Sequence, residues 1–187
     1  MKINSFSKTC VFILGFTAIS SVSAATKPAR LPSSYPVGKP TLECIYDSAV
    51  YHRVPFEVLL AINSIERGNT GQKVGNRDGT HDNGAFQINS IHFPRAKQLT
   101  GATPYDIASK GCFNAEFAAM LLSEAIYHPK KQYEDFFTRA AGYHSWTSSH
   151  NSVYKKKLSR YTAEWVSWLS NRGMQQSISP LYAVSYR

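Results

Sequence analysis

Residues 68–84, GNTGQKVGNRDGTHDNG, divide the chain more sharply than any other segment. Glycine, asparagine and aspartate dominate it, and Asp78-Gly79 and Asn83-Gly84 are both strong tight-turn signals. No apolar period runs through it, which excludes both a continuous helix and a sheet with its own core. A long loop with a small, irregular β-hairpin is expected there. Just before it, VPFEVLLAINSIE offers Pro55 for a first helical turn. Leu59, Ile62 and Glu66 follow at helical spacing, with Val58, Ile62 and Ile65 in the neighbouring row. Glu66 therefore lies on or beside an apolar stripe, where Gly68 is expected to end the helix. On these residues alone, a surface glutamate at a frayed helix end explains the position equally well.

The chain opens MKINSFSKTCVFILGFTAISSVSA, two lysines before a short apolar stretch and then the small residues Val22-Ser23-Ala24. That pattern predicts a secretory signal peptide at 1–24 and an exported, periplasmic or secreted, protein. Removing 24 of 187 residues leaves 163, enough for one domain with a real core. Lys2 and Lys8 leave with the signal, so the formal net charge falls from +9 to +7. Such a charge suits an anionic wall polymer or membrane face. The densest basic run, KKK at 155–157, lacks a surrounding recognition motif, so no nucleic-acid partner is expected. Cys44 and Cys112 remain, and an even pair in an oxidising compartment reads as a disulfide. It would close a loop of nearly seventy residues, worth on the order of 4 kcal/mol. The six histidines are scattered without zinc spacing, and the twelve-residue calcium pattern is absent, so neither a metal nor another cofactor is expected.

Residues 25–40, rich in proline and serine, read as an extended N-terminal arm, and 171–187 as a flexible tail. Between them, 41–170 forms the folded domain. A helix from Thr41 carries Leu42, Ile45, Tyr46 and Ala49 on one side. Further helices are expected after Pro94 through Leu99, at 114–127, and across QYEDFFTRAAGYH to Gly142. The last, NSVYKKKLSRYTAEWVSWL, has an apolar side of Val153, Tyr154, Leu158, Tyr161, Trp165 and Trp168. TPYDIASKGC looks like a capped turn leading to Cys112. The fold class is mostly α (α+β), with a small β insertion.

Four pieces combine around Glu66: AINSIE, the glycine-rich turns, NGAFQIN twenty residues further on, and the later GYHSW and YKKKL. Together they resemble the catalytic domain of the lytic transglycosylases, lysozyme-like enzymes that cleave peptidoglycan. Cys44 with GCFNAEFAAMLL resembles the small members associated with type III and type IV secretion, conjugation and pilus assembly. The resemblance covers about residues 42–162 and implies a lysozyme-like fold acting as a monomer on peptidoglycan glycan strands, with components of such a machine as partners. It implies Glu66 as the catalytic acid and Gln87, Tyr143 and Tyr154 as substrate-contacting or tuning residues. Three positions depart from the family pattern. His144 replaces an asparagine in the downstream motif, which also lacks its trailing glycine, and Arg67 stands where serine usually follows the glutamate.

Chemistry supports the same assignment. Cleaving a glycosidic bond needs an acid still protonated near neutral pH. A glutamate seated against apolar residues has a raised pKa because burial disfavours its charge. An ordinary hydrolase would need a second carboxylate across the site, for which Asp78 and Asp82 are the nearest in sequence. The family's route needs none: one glutamate donates a proton, then accepts one from the muramic acid 6-hydroxyl, leaving a 1,6-anhydromuramoyl end. A muramidase hydrolysing the same bond and a non-catalytic wall-binding subunit are the alternatives.

Overall fold

A computed structural model describes residues 27–174. The expected signal peptide at 1–24 lies outside the described residues, as does most of the expected tail. Seven α-helices and three short strands are described, with short 3-10 turns between them. They are α1 (Leu42–His52), α2 (Phe56–Glu66), β1 (Lys73–Gly75), β2 (His81–Asn83), β3 (Ile88–Asn89), α3 (Phe93–Thr100), α4 (Pro104–Ser109), α5 (Gly111–Ile126), α6 (Phe136–Ala140) and α7 (Ser148–Ser170). This is a mostly helical, lysozyme-like α+β arrangement. No described helix is long and apolar enough to cross a membrane.

Helix α5 is the axis of the core. Phe113, Phe117, Met120, Leu122 and Ile126 are fully buried around it, and Ala115, Ala118 and Ala119 let neighbouring backbones approach. Helix α2 packs between this core and α7, burying Val58, Leu59, Leu60, Ala61 and Ile62. Side-chain bonds tie α2 and the residue that closes it to α7, among them Trp165 Nε1 donating to Ser64 Oγ at 2.9 Å and Arg67 Nη2 to Tyr161 OH at 3.0 Å. The Cys44–Cys112 disulfide joins the first turns of α1 and α5, with 5.6 Å between Cα atoms.

The glycine-rich segment forms the expected hairpin, β1 and β2, and β3 beyond it pairs with β2 to complete a three-stranded antiparallel sheet in the order β1-β2-β3. Val74 lies opposite Asp82, and Asn83 opposite Ile88. Asp78 makes the first turn, its Oδ1 accepting from Thr80 N at 3.0 Å and from Thr80 Oγ1 at 2.6 Å.

Several local expectations need correction. Leu42 and Tyr46 are 44% and 45% exposed, because α1 buries Ile45, Ser48, Ala49 and His52 instead. Val153 on α7 is exposed too. The segment read as a capped turn is helix α4, whose Thr103 and Asp106 form a reciprocal capping box. The N-terminal arm, whose packing the sequence did not address, is docked on the domain: Ala29 and Pro32 are buried, and Gly38 makes a parallel bridge with Lys110.

Candidate active site

Glu66 is the last residue of α2. Arg67, and not the glycine, closes the helix, in the left-handed conformation with φ 52°. Gly68 serves another purpose. A Cβ there would collide with Gly84 O and lie 2.5 Å from Gln87 Nε2, so only glycine lets the chain leaving Glu66 pass against the β2–β3 turn.

That turn, Gly84-Ala85-Phe86-Gln87, is held from three sides. From α2, Asn63 Nδ2 donates to Ala85 O at 3.0 Å. From α5, buried Asn114 accepts from Phe86 N at 2.7 Å and donates to Asn83 O and Ile107 O at 3.0 and 2.9 Å. Tyr143 OH donates to Phe86 O at 2.9 Å. Gln87 has φ 49°, a strained conformation for a residue with a Cβ, and its Nε2 donates to Gly84 O at 2.8 Å. The side chain of Gln87 thus lies against Gly68, two residues beyond Glu66.

Tyr154, 4% exposed on α7, donates its hydroxyl hydrogen to Glu66 Oε1 at 2.6 Å. This leaves Oε2 to carry the acidic proton when Glu66 is protonated. Burial pushes the Glu66 pKa up, the Tyr154 bond opposes it, Asp82 adds to the rise and Lys157 opposes it; the balance is about 7. Burial and then the Glu66 charge hold both Tyr143 and Tyr154 well above the ordinary phenol value, so both remain hydroxyl donors.

Of the residues singled out in sequence, Glu66 and Tyr154 are in direct contact. Gln87 and Tyr143 build the wall beside them. Asp78 sits in its turn, bonded to Thr80. Asp82 is in the sheet, its carboxylate accepting from Asn89 Nδ2 at 2.8 Å and Asn76 Nδ2 at 3.1 Å. Its charge reaches Glu66, Tyr143 and His144. Sequence reasoning missed Asn63 and Asn114. Each occupies a helix otherwise apolar around it, and an amide at such a position is the signal that could have marked them. His144, which departs from the family motif, stacks its ring on Tyr154 with centroids 4.6 Å apart and planes 6° from parallel. Among the described residues no cluster of histidine, cysteine, aspartate and glutamate could hold a metal ion.

No family model matches the chain. Over 133 residues, 71% of this chain and 79% of the relative, it is 26% identical to "Invasion protein IagB" of Salmonella typhimurium, in each of two strains. The chain is therefore a lysozyme-like α+β protein with a distant likeness to a bacterial invasion protein.

Proposed function

We propose that the protein is an exported peptidoglycan lytic transglycosylase cleaving the β-1,4 bond between N-acetylmuramic acid and N-acetylglucosamine. The observation that carries this reading is the Glu66 carboxyl, with a pKa of about 7 and one oxygen held by Tyr154. About half of it is then protonated at neutral pH. In the first step the Glu66 proton goes to the bridging oxygen as the bond from that oxygen to the muramic C1 breaks. The substrate's N-acetyl oxygen closes on C1 and carries the positive charge. The Glu66 carboxylate then takes the proton from the 6-hydroxyl, whose oxygen attacks C1 and releases the N-acetyl group. Glu66 is restored, no water enters, and the fragment ends in 1,6-anhydromuramic acid. Gln87 and Tyr143 line the sugar site. In this reading the protein acts in the periplasm and opens the wall locally for a secretion, conjugation or pilus apparatus.

Asp82 supports a second reading, since its charge reaches Glu66 from β2 and a muramidase needs a second carboxylate. Mass spectrometry of muropeptides released from sacculi separates the two. Anhydro ends are expected, with turnover abolished in Glu66→Gln and retained in Asp82→Asn. Reducing ends together with loss of turnover in Asp82→Asn would establish the muramidase, and a Glu66→Gln variant within a few-fold of wild type would overturn both.

A further inference from the structure

Tyr154 is buried and Glu66 partly so, yet His144 above them is exposed. The imidazole lies flat on the phenol, 4.6 Å between centroids and 6° between planes. It covers a face of the ring whose hydroxyl is 2.6 Å from Glu66 Oε1. The backbone holds His144 there: it follows a short 3-10 turn at Ala141–Tyr143, and its N–H donates to Ala141 O at 3.1 Å. Tyr143, one residue earlier, is fixed to Phe86 O. The same short segment therefore supports the β2–β3 turn with one ring and covers Tyr154 with the next.

We propose that His144 is a positioning residue for Glu66, holding Tyr154 in the orientation that bonds the carboxyl and keeping water from that pair by stacking on it. This rests on the reading of Glu66 as the acid. The contribution of His144 is its flat ring, and its charge is not needed. Partial desolvation of the ring, followed by the charge of His150, keeps its pKa below the ordinary histidine value against the opposing pull of Asp82, while Lys157 adds to the lowering. The charged or titratable groups around Glu66 itself are Tyr154 and Lys157 on α7, Asp82 on β2 and Tyr143. None of these is removed when His144 is replaced. Truncation at 144 therefore acts on Glu66 by two opposed routes: a loosened Tyr154 bond raises its pKa, and admitted water lowers it, burial being the larger of the two causes. Because burial is the leading cause of the raised Glu66 pKa, admitting water must lower it.

The test compares wild type, His144→Ala and His144→Phe in the full exported chain. Sacculus turnover is followed from pH 5 to 9, and the Glu66 carboxyl carbon is titrated by NMR. In His144→Ala the midpoint of the alkaline limb should fall by about one pH unit, kcat should fall roughly tenfold, and KM should change by less than about twofold. The NMR midpoint should fall with it. His144→Phe, which stacks but cannot ionise, should restore the midpoint and most of kcat. A His144→Ala protein with wild-type midpoint and kcat would overturn the proposal. So would a His144→Phe protein no better than alanine, since the imidazole N–H would then be the active feature. The NMR titration gives its answer without turnover, and loss of turnover in Glu66→Gln checks the underlying reading separately.

Discussion

Protonation of Glu66 affects stability as well as chemistry. Its folded pKa, about 7, lies above the ordinary 4.5, so between those values the folded chain binds more protons than the unfolded one. Stability at this group is fully present below 4.5 and is lost as pH rises through 7, where a partly buried carboxylate must be ionised. Glu66→Gln removes that ionisation. The variant should gain at most about 3 kcal/mol over wild type at pH 8, and nothing at pH 4. Urea unfolding at the two pH values checks this; an equal difference at both would contradict the raised pKa. Glu66 was legible in the sequence because helical spacing places it beside an apolar stripe. Of its environment, Tyr154, 88 residues away, entered only through the family resemblance, and the stacking of His144 on it was not legible. No periodicity reports that two such rings will stack.

Gly68 belongs to the scale of elements, where α2 meets the β2–β3 turn. Gly68→Ala should cost about 1–3 kcal/mol, because the added methyl meets backbone at Gly84 as well as the movable amide of Gln87. The turn must shift, so sacculus turnover should fall together with the thermal midpoint. Unchanged turnover would mean that Gln87 has no part in the site. The turn signals in 68–84 predicted where the chain reverses, since Asp78-Gly79 and Asn83-Gly84 specify their own geometry. The third strand lies beyond that segment. Ile88 and Asn89 make a strand only by pairing with Asn83 and Asp82, and such short pairings depend on Asn63, Asn114 and Tyr143 holding the turn between them. Helix α4 went unread for a related reason: six residues capped by Thr103 are too short for a period to emerge.

At the scale of the whole molecule, a buried carboxylate on α5 holds the arm before α1, in addition to the Gly38 bridge to Lys110. Glu116 accepts from Arg30 N at 3.1 Å and from Arg30 Nη2 at 2.7 Å, and His52 Nε2 lies 2.8 Å away. Burial alone would raise its pKa, but the bonds from His52 and Arg30 outweigh burial and hold it at about 2. A depressed carboxylate stabilises the fold above 4.5 and loses that contribution as pH falls toward 2. Glu116→Gln should therefore destabilise by about 3–5 kcal/mol at pH 7, and by progressively less from pH 4.5 downward. Thermal unfolding across that range measures it, and a pH-independent cost would show that only packing was lost. By itself the sequence determined the helical class, the position of the turns and the pair of cysteines, because these follow from short-range periodicity, backbone geometry and residue identity. Only the tertiary structure decided that the arm docks, that α1 buries Ser48 and His52 in place of Leu42 and Tyr46, and that Tyr154, His144 and Asp82 gather about Glu66. Those outcomes depend on which surfaces remain to be covered once α5 is surrounded, a competition between distant segments that no local pattern records.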